Sequence, residues 1–134
     1  MDFYRNGERC GVWIGQALKL LLLNPLRLRL MSVRAFDGAR ILLTEERWKH
    51  IVLRHPELEN KLFQVLDVVA NPDEVYVDQA GAFHALKRLH GEVSDYIVVV
   101  YRRENEEGYI RTAFYTSYRR KARRYRQFKK LKPS

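Results

Sequence analysis

Two histidines and two arginines stand among residues 47–55, and their spacing decides what chemistry they can share. His50 and Arg54 are four residues apart, one turn of a helix, so both can address one ligand. His55 follows directly, before Pro56. Further along come Lys87 and Arg88, then Thr112, Thr116 and Tyr118. These residue types suffice to cleave RNA without a metal. A neutral imidazole takes the proton of a 2'-hydroxyl, an arginine stabilises charge growing on the phosphorane, and a second imidazole or a tyrosine protonates the departing 5'-oxygen. The product is a 2',3'-cyclic phosphate, so DNA is not a substrate. Each residue also has a plainer reading: His55 as a helix-junction residue, His50 and Arg54 as a solvent-facing pair, His84 and His90 as exposed strand or turn residues.

The elements that must position these groups follow from periodicity. Thr44 is an N-cap, with Glu45 and Glu46 complementing the first turn, and the helix it opens runs to about Arg54. Trp48, Ile51, Val52 and His55 recur at helical spacing toward the core, while Glu46, His50 and Arg54 share another face. Pro56 starts a second helix whose stripe is Leu58, Leu62, Val65, Leu66 and Val69, ended by Asn71, Pro72 and Asp73. The period then drops to two. Residues 75–78, 83–89, 96–102 and 109–117 read as strands with short connections, an antiparallel meander in which 97–100 is apolar on both faces. Lys87 and Arg88 point to opposite faces of their strand.

Before the helices, the alternation LRLRL at 26–30 and the apolar ILL at 41–43 flank the Asp37 and Gly38 turn signal, as a hairpin or as one strand of an appended element. Residues 1–15, with Gly7, Gly11 and Gly15, read as loop. The expected fold is therefore α+β, with N-terminal helices packed on a curved four-stranded antiparallel sheet. Residues 1–38 are an N-terminal extension holding a strand or hairpin, 39–118 the functional domain, and 119–134 a basic helix and tail.

At 134 residues the chain suits one domain. Its formal charge of +9 comes entirely from residues 116–134, where nine Lys or Arg meet no Asp or Glu. Such a tail favours nucleic acid or an anionic surface. Tyr118, Ala122, Tyr125 and Phe128 form a helical stripe among these charges, and the KKLKPS end is expected to fray. The lone Cys10 excludes an intramolecular disulfide framework and fits a cytoplasmic chain. The apolar run from Ala17 is broken by Lys19 and stopped at Asn24 and Pro25, too short for a membrane span and without the marks of a signal peptide. No phosphate loop, HExxH helix, paired cysteines or EF-hand spacing is present, so no cofactor and no metal are expected.

The combination of TEERWKHI at 44–51, RHPEL at 54–58, NPDEV at 71–75, TAFY at 112–115 and TSY at 116–118 resembles the phage-associated nucleases of the Barnase, EndoU, colicin and RelE superfamily. The likeness covers residues 41–120. It implies helices followed by a four-stranded antiparallel sheet, RelE-like or barnase-like, and a metal-independent endoribonuclease, often a toxin held by an acidic antitoxin or immunity protein. Carried over, the catalytic set is His50, Arg54, His55, Thr116 and Tyr118. Lys87, Arg88, Arg119, Arg120, Lys121, Arg123 and Arg124 would bind RNA. Two other readings use the same charges: a nucleic-acid-binding module without chemistry, and a partner-regulated interaction protein.

Overall fold

The computed structural model describes residues 3–4, 30–91 and 93–133. The apolar run from Ala17, Cys10 and most of the LRLRL alternation lie outside them.

Thr44 caps the first helix as its sequence indicates: its hydroxyl accepts a hydrogen bond from the Arg47 amide at 3.0 Å. This helix, α1, spans Glu45–Arg54. A single 3-10 turn, Pro56–Leu58, follows and leads to α2, Leu62–Ala70. The proline thus opens a tight turn, and the apolar stripe spans both pieces. Leu58, Val65, Leu66, Val68 and Val69 are all buried, and Leu62 partly so. Leu66→Ala is expected to cost about 2 to 5 kcal/mol, the loss of a buried side chain plus the cavity it leaves. A urea melt showing a change below about 0.5 kcal/mol would remove Leu66 from the core.

The expected four-stranded antiparallel sheet with N-terminal helices is corrected by the strand pairing. The meander itself is present as β4 (Glu74–Val77), β5 (Phe83–Arg88), β6 (Tyr96–Glu104) and β7 (Glu107–Thr116). It is extended on both edges into one mixed sheet. A hairpin of β2 (Leu30–Arg34) and β3 (Arg40–Thr44), turning at Asp37 and Gly38, precedes the helices. Its β3 joins β7 in parallel, with Arg40, Ile41 and Leu42 opposite Glu107, Gly108 and Tyr109. At the far edge, β8 (Lys129–Lys132) pairs antiparallel with β4. With the two-residue β1 (Phe3–Tyr4) outside β2, the described strands run in the order β1-β2-β3-β7-β6-β5-β4-β8.

The physical reason is edge satisfaction. A four-stranded meander leaves the outer amides and carbonyls of β4 and β7 open, and segments remote in sequence complete them. Alternation reveals that a segment is a strand, not which strand it joins. The KKLK segment, expected to fray, is the outermost strand at its edge. A short lysine-rich strand there completes the ladder of β4 while discouraging further pairing.

The sheet separates two cores. On one face Ile51 of α1 and the α2 stripe pack against Val33, Ile41, Val75, Ile97, Val99 and Ala113. On the other, Tyr76, Leu86, Tyr96 and Val98 lie beneath Tyr125 and Phe128, which follow α3 (Tyr118–Arg124). Ser117 caps α3, its Oγ accepting from the Arg120 amide at 3.2 Å. A bulge links the two cores: opposite Val100 and Tyr101, β7 supplies Thr112 and Ile110, leaving Arg111 as the extra residue. Ile110 therefore enters the helix-side core while Thr112 and Phe114 belong to the opposite face.

Candidate anion-binding cleft

α1 rests on β3 and β7. With Ile51 turned into the core, Arg47, His50 and Arg54 follow one another at spacings of three and four along the flank that borders the second sheet face. They form one wall of a cleft of about 370 Å³. The floor and far wall are Val100 and Arg102 of β6, Arg111, Thr112 and Phe114 of β7, and Arg124 of α3. The turn between β4 and β5 closes it with Asp78, Ala80 and Ala82, and His84 lies at the base.

Five arginines thus face one carboxylate, and that carboxylate is already engaged. Asp78 Oδ1 accepts the amides of Ala80 and Ala82, each at 2.9 Å, and Oδ2 lies 3.0 Å from His84 Nε2. Burial raises the Asp78 pKa, but the bond from His84 and those amides outweigh it and hold the carboxyl below its ordinary range. An ionised carboxylate only accepts, so Nε2 carries the His84 proton. Nδ1 then accepts from the Tyr125 hydroxyl at 3.0 Å. Tyr125 and Phe128 meet the imidazole edge-on, at centroid separations of 5.3 and 5.2 Å. His84 is 4% exposed, so the expectation of an exposed strand residue is corrected: aromatic groups some forty residues away cover it.

Both nitrogens of His84 are committed, and burial lowers its pKa below the ordinary 6.5. The unfolded chain consequently takes up a proton near pH 6.5 that the folded chain resists. The associated stability is complete above about pH 6.5 and is lost as pH falls through the folded value. Urea midpoints are expected to drop between pH 7 and 5 in the wild type, and to drop less in His84→Gln. Parallel pH profiles for the two proteins would remove His84 from this role.

Arg47, Arg54, Arg111 and Arg124 have no carboxylate within ion-pair distance among the described residues. Arg102 donates to the Ala80 carbonyl at 2.7 Å, and Arg124 lies 4.8 Å from the centroid of the Phe114 ring. Uncompensated arginines in a concave site favour an anion, with guanidinium forks matched to phosphate oxygens. No three His, Cys, Asp or Glu side chains among the described residues converge as metal ligands.

Of the catalytic set read from the sequence, His50 and Arg54 meet in this cleft. His55 does not line it. Half-buried at the junction after α1, its ring is 6.2 Å from Phe114 and its Nδ1 3.7 Å from Glu57. Thr116 is 5% exposed and borders a neighbouring hollow, and Tyr118, 64% exposed, borders a third with Arg88 and His90.

The RNA-binding set divides as well. Lys87 is on the helix side, donating to the Asn71 carbonyl at 2.6 Å and 3.8 Å from Asp67. Arg88 faces the other way, over Tyr96. Lys121 is bound 2.7 Å from the buried Glu74, beside the Tyr76 and Tyr96 rings. Arg119, Arg120, Arg123 and Arg124 are exposed. Sequence reasoning missed Arg47, whose spacing to His50 and Arg54 was a readable signal, and Arg102, Arg111, Asp78 and His84. Asp78 and His84 flank one tight turn, which was the only local hint of their pairing.

No protein family matches the chain, and no curated protein or solved structure is detectably similar to it. No helix among the described residues is long and apolar enough to cross a membrane.

Proposed function

We propose that the cleft binds a phosphodiester and that the chain is a metal-independent endoribonuclease. The observation that supports this reading is the convergence of His50 with four arginines that lack carboxylate partners among the described residues. His50 takes the 2'-hydroxyl proton, the 2'-oxygen attacks phosphorus, and the bond to the 5'-oxygen breaks. Arg54 and Arg111 hold the phosphoryl oxygens as charge develops. The 5'-oxygen is protonated from solvent at the mouth of the cleft, since neither Tyr118 nor His55 lines it. The products are a 2',3'-cyclic phosphate and a 5'-hydroxyl. An acidic inhibitor protein would be drawn to the same arginines and compete with RNA for them.

One observation favours a second reading, a binding module without chemistry: His50 is the only imidazole of the cleft whose nitrogens are uncommitted among the described residues. Single-turnover assays on total RNA in EDTA separate the two. Cleavage with cyclic-phosphate ends, lost in His50→Ala, selects the enzyme. Salt-sensitive binding by a folded preparation that leaves RNA intact selects the module.

A further inference from the structure

A hollow of about 340 Å³ adjoins the cleft. Phe114 and Arg124 line both, so the two share a wall. The hollow has its own cations, Arg120 and Arg123, both exposed and without carboxylate partners among the described residues. At the shared wall the Arg124 guanidinium lies over the Phe114 ring at 4.8 Å, a flat cationic platform between two anion-binding ends.

We propose that cleft and hollow form one track for a single-stranded RNA segment, an assignment that rests on the phosphodiester reading of the cleft. The scissile phosphate occupies the arginines around His50. A flanking phosphate meets Arg120 and Arg123, and the intervening base stacks on Arg124. A stacking platform between two phosphate sites suits a strand whose bases are splayed out, because a duplex keeps its base faces covered. The track is sequence-tolerant, since every base offers a face to stack and the remaining contacts are to the backbone.

The test is binding of fluorescent 2'-O-methyl oligoribonucleotides, which lack the attacking hydroxyl, across a salt titration. Affinity is expected to rise from dinucleotide to hexanucleotide, and a hexanucleotide is expected to bind more tightly than the same sequence in a duplex. For the hexanucleotide, Arg120→Ala/Arg123→Ala is expected to flatten the salt slope by about 0.7 for each phosphate no longer neutralised. Arg124→Ala is expected to reduce affinity at every salt concentration. Arg120→Lys/Arg123→Lys should retain the wild-type slope, which separates charge from fold. An unchanged slope in the double alanine variant, with binding still abolished in Arg54→Ala, would overturn the track and leave the cleft standing. Equal binding by wild type and Arg54→Ala/Arg111→Ala would overturn the cleft itself. Tighter binding of the duplex would overturn the single-strand assignment.

Discussion

Replacing His50 with alanine is expected to slow single-turnover RNA cleavage by about 10² to 10⁴, the usual contribution of a positioned proton-transfer group. The fold should be unaffected. His50 is exposed on α1 and makes no hydrogen bond or ion pair among the described residues, and alanine is the better helix former. Arg54→Ala is expected to fall in the same range, because Arg54 holds the charged phosphodiester on binding and faces still more negative charge as the phosphorane forms. Arg54→Lys should recover little, since a point charge does not replace a two-pronged donor. Tyr118→Phe should stay near wild type, its hydroxyl lying outside the cleft. Identical rates for wild type and His50→Ala, with both proteins folded, would end the assignment of His50. A strict magnesium requirement would end the mechanism.

The second large effect falls on stability rather than rate. Lys121 is a candidate RNA ligand by sequence, yet its ammonium is held by Glu74, whose Oε1 also accepts the Tyr76 hydroxyl at 2.5 Å. Burial pushes the Glu74 carboxyl up, but the bonds from Lys121 and Tyr76 prevail and keep it below its ordinary 4.5. Lys121→Ala leaves that carboxylate buried with Lys130, 4.0 Å away, as its remaining ion-pair partner among the described residues. The expected cost is about 3 kcal/mol, the penalty for a stranded charge rather than the worth of the pair. Removing both partners, in Glu74→Leu/Lys121→Met, should cost much less. The contribution of Glu74 is present above about pH 4.5 and is lost as pH falls through its folded value, so the wild-type advantage over Lys121→Ala should narrow in acid. Urea melts at pH 7 and pH 4 read both effects. A loss below about 0.5 kcal/mol at pH 7 would return Lys121 to the free surface cations.

Local chemistry was legible in the sequence. Thr44 announced a cap, Asp37 and Gly38 a turn, and the stripe from Leu58 to Val69 a buried face, because each depends on residues within one or two turns of itself. The parallel joining of β3 to β7 depends on two segments more than sixty residues apart and leaves no periodic mark. The bulge at Arg111 is hidden for a related reason. Ile110 and Thr112 look like neighbours on one face by alternation, and only the register against Val100 and Tyr101 shows that they are not. At the cleft, the helical spacing of His50 and Arg54 sets both along one wall. Thr116 and Tyr118 do not join them, because the strand ends at Thr116 and the chain turns into α3. The basic tail looked uniform, yet its members divide into a buried lock at Lys121, an edge strand at Lys129–Lys132 and exposed arginines.

The covering of the second core has a consequence for how the chain reaches this state. Tyr76, Leu86, Tyr96 and Val98 are made well before Tyr125 and Phe128, the aromatics that roof them. Until those two residues are synthesised and dock, one face of the central strands stays wet and the outer edge of β4 stays unpaired. Such an intermediate invites association with other copies. A nascent chain stalled ahead of Tyr125 should therefore recruit chaperones that one extended past Lys132 releases.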